Sequence, residues 1–576
     1  MRMKVSDYIA DFLRVQEIEH VFEVAGGMIT HILDSIYRIG NTNIISVHHE
    51  QAAAFAADAY GRMTGKPGVA LATSGPGATN LLTGIASCYF DSSPALFITG
   101  QVNVHEQKGT RKIRQLGFQE TDIHAMVQPI IKQCFSIEIA EQVESVLKAA
   151  YECAISGRPG PVLIDLPMNI QRAEIEVSPI EVITRKKTIS VDLNQSIDAL
   201  SGAIKKSRRP LILLGRGIQC AFAEKEALCF AEHLQIPVVT SLLALDTIPY
   251  DHPLRAGFIG TYGNRWSNLA IGNADLLIVI GSRLDIRQTG ADIDGFRNNK
   301  TIFHIDCDEG EINNRVPECI SIIADAKEFL LQANARLGIE SFLPPTDWLN
   351  EIDYLRNKWP DAHELKDFSG INPNHFMHEL SQCSGDAVAF VVDVGSHQMW
   401  AAQSLEIQAN QSFITSGGMG AMGFALPAAI GASLANAKKP VVVIAGDGAF
   451  QLNLQELQTV VRNRLPIKIV ILNNECLGMI RQFQDSYFEG RYQSTYWGYT
   501  APDFAAIAEA YGIPAKTIST PAEVNAGANW LWEENTGPML LQVMVSPHMN
   551  VYPKIAFGKP ITEMEPFATP ISIEST

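Results

Sequence analysis

Asp447 stands between two glycines at the end of an almost wholly apolar run, "VVVIAGDGAF". Twenty-four residues separate this GDG from the pair Asn473-Asn474, which closes the next apolar run, "PIKIVILNN". Continuous apolar runs read as parallel strands covered on both faces. Between them Leu454, Leu457 and Val461 keep helical spacing, which predicts a helix from about Gln451, its N-terminus able to receive a phosphate. In open parallel sheets ligands bind beyond the carboxyl ends of strands. A right-handed crossover puts neighbouring carboxyl ends on one edge. Asp447 and Asn474 are therefore expected to converge. A carboxylate oxygen, an amide oxygen and a loop carbonyl would form a partial shell for a hard cation. Mg²⁺ suits it, because that ion keeps positions for water and for a substrate phosphate. Gly446 and Gly448 leave the backbone open to close approach.

A second acid, Glu50, follows the run "NIISV" and begins an alanine-rich segment, "EQAAAFAADAYGRMTG". By position alone it reads first as a charge at a helix N-terminus, worth under about 1 kcal/mol. "SGPGATN" (Ser74 to Asn80) is a Gly-rich turn that by itself could serve a dinucleotide. "TSGGMGAMGFALPAAIGA" reads as a small-residue helix built for tight packing.

These residues need a scaffold, and the apolar runs supply it. "GVALATSG", "ALFITG", "PVLIDLP", "PLILLGRG", "ADLLIVIG" and "TIFHID" alternate with helical patterns, which is the doubly wound α/β arrangement. A chain of 576 residues exceeds what one core holds. Polar stretches at 172–192 and 337–370 read as connectors. They divide the chain into units at 1–172, 190–336 and 365–548, with a C-terminal tail at 549–576. The outer units share the order strand, Gly-rich turn, helix, which hints at two similar folds flanking a third. "MRMKVSDYIADFL" reads as an amphipathic helix opened by Ser6 or Asp7. The uncharged run Gly417 to Ala432 is too short to span a bilayer. Nine cysteines without a CxxC pair suggest reduced thiols and a cytoplasmic protein. A net charge of −17 argues against a broad nucleic-acid face, though not against a small anionic ligand.

The GDG–NN spacing, with strand, helix and strand between, resembles the signature of thiamine diphosphate-dependent enzymes. From about residue 4 to 550 the chain looks like their acetolactate synthase (acetohydroxyacid synthase) large-subunit branch. That resemblance implies three doubly wound parallel-sheet domains: pyrimidine-binding, central FAD-type and diphosphate-binding. It implies Mg²⁺ on Asp447, Asn474 and the Cys476 carbonyl. It makes Glu50 the acid that hydrogen-bonds the cofactor's aminopyrimidine and so helps remove the thiazolium proton, a task suited to a carboxyl in a dry pocket. Pro76, Gly420, Met422, Gly446, Gly448, Ala449 and Met479 fall on cofactor-binding positions. Arg158, Gly217, Gly263, Arg283, Arg287 and Asp306 match a flavin site, which makes FAD an expected cofactor. Phe118 and Gln119, in "GFQETD", match the substrate pocket, where Arg287 could alternatively hold the second keto acid's carboxylate.

The resemblance also implies a homodimer or homotetramer whose active site lies at the subunit interface, and it admits a small regulatory subunit as a partner. The expected reaction is decarboxylation of pyruvate and transfer of the two-carbon unit to a second 2-keto acid, giving 2-acetolactate. Five positions depart from the pattern: Met28, Met168, Tyr262, Ile286 and Phe483. They are odd for an enzyme of branched-chain amino acid biosynthesis. They suit the same donor chemistry with another carbonyl acceptor, such as a ketosugar. A flavin-dependent pyruvate oxidase and a non-catalytic diphosphate-binding protein are the readings from other classes.

Overall fold

The computed structural model describes residues 2–185, 191–365 and 368–571. It contains three six-stranded sheets, each all-parallel, with helices on both faces. Numbered in order within each unit, the strands of the first sheet run 2-1-3-4-6-5 from edge to edge, and those of the third repeat that order. The hint of two similar outer folds is thus a matter of topology rather than of repeated sequence. The middle sheet runs 3-2-1-4-5-6, the order of a dinucleotide-binding fold.

The outer units are joined by two helices. Glu50–Thr64 and Ala425–Ala435 are almost wholly buried and rich in alanine. A helix apolar on all sides belongs inside a core, and here one buried cluster runs through both units. Small residues set the approach: a β-carbon on Gly431 would lie 2.0 Å from the Ala56 carbonyl oxygen. Phe55 meets Phe424 edge-on at 5.2 Å. Arg62 is buried with Asp58 (2.6 Å) and Asp91 (3.0 Å) and donates to the Thr415 carbonyl, so its charge is paired and its donors used. We expect Gly431→Ala to destabilise the fold by about 1–3 kcal/mol through overpacking, read as a lower melting temperature. An unchanged melt would show that the two helices can part.

The structure revises several expectations. The N-terminal helix is Val5–Val15, entered from Lys4. The stretch at 172–192 contributes a strand, Glu174–Glu176, paired antiparallel with Arg2–Lys4. Part of that stretch, 186–190, and with it the 190 boundary, lies outside the described residues. The connector at 337–370 contains the helix Thr346–Lys358, which buries Trp348 and Ile352 one turn apart. The helix expected from Gln451 starts earlier, at Asp447, for a single turn. That turn ends at Phe450, and helix resumes after Asn453, whose side chain donates to the Gly423 carbonyl and to Gln51, as a 3-10 turn Leu454–Glu456 followed by Leu457–Asn463. Every cysteine is unpaired. Among the described residues no helix is long and apolar enough to cross a membrane.

Candidate active site

In the third sheet Val441–Gly446 pairs in parallel with Ile467–Asn473, and Gly446 lies opposite Leu472. Asp447 and Asn474 therefore leave the sheet side by side. The Asn474 side-chain amide lies 3.0 Å from Asp447 Oδ1 and 2.8 Å from the Cys476 carbonyl oxygen; turned with its nitrogen there it donates to both, and turned with its oxygen there it completes an all-oxygen trio. Oxygens so close repel one another unless a cation lies between them. The two spacings match the edge of an octahedron with arms of about 2.0–2.1 Å, an edge of about 2.9 Å, which is Mg²⁺ geometry. Glu475, in the left-handed region at φ 51°, turns the chain between Asn474 and Cys476. Among the described residues no trio of His, Cys, Asp or Glu forms a metal cluster. The candidate thus rests on carboxylate, amide and main-chain oxygens, the donors a hard cation takes.

Asp447 is 2 % exposed. Burial pushes its carboxyl up to about 6, against the hydrogen bond from Tyr499, which pulls it down. Tyr499 donates to Oδ2 at 2.9 Å, which leaves Oδ1 for the oxygen trio. A β-carbon on Gly446 would meet the His397 ring at 2.7 Å, and one on Gly448 would meet Leu477 at 2.5 Å. The two glycines are therefore required by crowding from this chain's own side chains.

The sheet's order reverses between Ala389–Val392 and Val441–Gly446, the place where ligands enter such folds. The helix Ser396–Ser404 starts there, and Ser396 Oγ and His397 Nε2 are buried without partners. Two unused polar groups at a helix N-terminus, beside Asp447, suit a phosphate. Asp393, also at the reversal, accepts from the backbone of Gly423 (2.9 Å) and Ala425 (2.8 Å) and so holds the turn carrying Met422. Gly420 opens that turn at φ 65°. Met422 reaches toward Gly448, its Cε 3.5 Å from where a β-carbon would stand. Ala449 is buried behind Gly448, and Met479 is half-buried on the helix Gly478–Tyr487.

Glu50 opens its helix in the first unit and is 9 % exposed. Its Oε2 accepts from Asn80 at 2.9 Å, and Oε1 lies 3.3 Å from where a β-carbon on Gly77 would be. Pro76 starts the short helix between them. Gln119 packs on Gly75 with φ 64°, a strained backbone of the kind found at ligand sites. Phe118 is 79 % exposed. Glu50 meets Asn80 and Gly77 of the first unit, and the trio is held by Tyr499 of the third.

A cleft of about 1120 Å³, open solvent included, lies at the order reversal of the middle sheet and reaches the first and third units. Arg158, Gly217, Arg283, Arg287 and Asp306 all line it. Gly263 does not: a β-carbon on it would meet the Phe258–Gly260 backbone at 2.7 Å. Gly217 lies against Gly281, so bulk there would push the two strand ends apart. Arg158 pairs with Asp308 (3.0 Å) and Glu311 (2.6 Å), and Arg287 reaches the Gly417 carbonyl. Sequence reading missed Arg216, which also lines the cleft and whose Nε is buried without a partner. Guanidinium groups gathered at a reversal point in an acidic chain suit an anionic dinucleotide.

Three family models match in order. The thiamine pyrophosphate enzyme N-terminal TPP binding domain covers residues 3–126, the central domain 197–333 and the C-terminal TPP binding domain 393–543. Among curated proteins, the acetolactate synthase large subunit of Corynebacterium glutamicum is 35 % identical over 98 % of this chain and 90 % of its own length. That of Haemophilus influenzae is 34 % identical over 98 % of both. That of Cyanidium caldarium is 35 % identical over 96 % of this chain and 95 % of its own.

Proposed function

Because this chain belongs to the thiamine pyrophosphate enzyme family, in the branch of the acetolactate synthase large subunits, we propose that it decarboxylates pyruvate and joins the remaining two carbons to a second carbonyl compound, giving 2-acetolactate when that compound is another pyruvate. The observation that carries this reading is the oxygen trio of Asp447, Asn474 and Cys476 on neighbouring strands. It fits Mg²⁺. The ion would anchor the cofactor's diphosphate beside Ser396 and His397, whose Oγ and Nε2 are buried without partners. When bound, thiamine diphosphate supplies the nucleophilic carbon that adds to a 2-keto acid and takes up the electrons released with CO₂.

The chain's own groups do the rest. Met422, held by the turn that Asp393 fixes, would support the cofactor from one side. Glu50, positioned by Asn80, would hold the proton exchanged with the pyrimidine ring. Gln119 and Phe118 would face the acceptor. Glu50 and Asp447, on different units, would serve one cofactor across a subunit interface, so that a second copy of the chain would complete each site and the working form would be at least a homodimer. The cleft of the middle unit would hold FAD, with Arg158, Arg283 and Arg287 offering cations and Asp306 an acceptor for a sugar hydroxyl. The relatives' names, as large subunits, point to a small partner subunit.

Product analysis with ¹³C-labelled pyruvate tests the reaction. CO₂ release with 2-acetolactate, or with an adduct of an added carbonyl compound, agrees with it. Acetate or acetyl phosphate, formed while the flavin bleaches at the rate of turnover, would contradict it. Tyr499 gives a separate check on the metal. Tyr499→Phe frees Oδ2 of Asp447 and is expected to weaken Mg²⁺ by about 10–100-fold, the usual cost of losing a partner that orients a ligand. Mg²⁺ titration of cofactor binding would show the shift, and an unshifted titration would remove Tyr499 from the account.

A further inference from the structure

Resting on the reaction proposed above, we infer that the acceptor is a carbonyl compound that carries a phosphate group. The observation is the segment Lys108 to Arg114, "KGTRKIR", which places Lys108, Arg111, Lys112 and Arg114 within seven residues of a chain with net charge −17. Arg111, Lys112 and Arg114 are exposed. Among the described residues none of the four cations has an ion-pair partner; Arg111 bonds only the carbonyls of Gln107 (3.0 Å) and Lys108 (3.2 Å).

The carboxylates near by are used elsewhere. Glu106 accepts from Asn103. Glu120 accepts from the backbone of Lys108 (2.5 Å) and Leu116 (2.7 Å), and so ties the two ends of the loop together. The loop is thereby held closed, with Arg111, Lys112 and Arg114 exposed and Lys108 half-buried.

Its position gives the cations a purpose. The loop leads straight into Phe118 and the strained Gln119, which packs on Gly75, two residues from the glycine beside Glu50. The basic segment therefore borders the acceptor side of the Glu50 site. One guanidinium satisfies the carboxylate of a 2-keto acid. Four unpaired cations match an acceptor with several negative charges, and phosphate offers both the charge and the oxygens for guanidinium forks. A local cationic rim in an acidic protein also steers such an anion inward. The bond-making is redox-neutral: pyruvate loses CO₂, its C2 bonds to the acceptor's carbonyl carbon, and that carbonyl oxygen takes one proton, giving a hydroxy ketone.

The test uses the full-length holoenzyme with labelled pyruvate and paired acceptors: a ketose phosphate, a nucleoside diphosphate-linked ketosugar, and each without its phosphate. We expect at least one phosphorylated member to be used at least tenfold better, in kcat/KM, than its dephosphorylated form. Whichever member gains identifies a phosphomonoester or a nucleotide-linked acceptor. In the double variant Lys112→Gln/Arg114→Gln, KM for that acceptor should rise at least tenfold and lose most of its salt dependence. Its kcat and the release of CO₂ from pyruvate alone should move less than twofold. Equal use of phosphorylated and plain acceptors, or an unchanged KM in the variant, overturns the inference while leaving the donor chemistry standing. Tight nucleic-acid binding by the loop without any acceptor preference also overturns it. No CO₂ from pyruvate would instead defeat the reaction itself.

Discussion

Asp447→Ala is expected to abolish Mg²⁺-dependent binding of thiamine diphosphate and to lower activity by about 10³-fold or more, equivalent to about 4 kcal/mol of lost transition-state stabilisation. The reason is the composition of the trio. Asp447 is its only charged member; Asn474 and the Cys476 carbonyl are neutral dipoles. Without the carboxylate the trio has no charge to offset the dehydration of a divalent ion, and the diphosphate loses the cation that would neutralise it. The carboxylate is buried and already donated to by Tyr499, so a solvent-borne substitute has no room. Asp447→Asn keeps an oxygen of similar shape and should retain more binding than the alanine variant. Calorimetric titration with cofactor and Mg²⁺, alongside CO₂ release from pyruvate, measures both effects. An alanine variant that binds the cofactor as the parent does would show that the three oxygens serve the fold alone.

Glu50→Gln separates binding from chemistry. The amide matches the carboxylate in shape and can still meet Asn80, which donates at 2.9 Å in the parent. Cofactor affinity should therefore stay within a few-fold. What the amide cannot do is hold and return a proton, a role worth about 10²–10⁴-fold in rate. Turnover should fall by that factor, and so should exchange of the cofactor's C2 proton for deuterium, measured by rapid quench and NMR. Loss of turnover with normal exchange would place Glu50 at a later step. Normal turnover would leave it as a helix-end charge and nothing more.

The architecture was legible because parallel strands buried on both faces are written as continuous apolar runs. "VVVIA" and "IKIVILN" could be little else, and the acid and amide closing them sit where such strands end. The equivalence of the outer units could only be guessed, since strand order follows from pairing across the sheet and leaves no mark in local sequence. The helix after Asp447 was misplaced because periodicity registers Leu454, Leu457 and Val461 but not the diversion of Asn453 to Gly423 and Gln51.

Residues that act from a distance were missed for a similar reason. Tyr499 comes from an irregular segment 52 residues after Asp447. Asp393 looks like any acid at a strand end until the backbone it receives, 30 and 32 residues later, is folded against it. Ser396 and His397 carried a readable signal, a strand running into a Gly-Ser turn and a helix, but their buried unused atoms emerge only in three dimensions. Arg216 likewise sits between two glycines at a strand end, the same grammar as GDG with a cation in place of the acid.

The most direct measurement is calorimetric titration of the metal-stripped protein with thiamine diphosphate, once with Mg²⁺ and once with a chelator. Binding that needs the metal, at one cofactor per chain, is the predicted result. Equal affinity under both conditions would contradict a site in which Asp447, Asn474 and Cys476 grip the diphosphate through a cation.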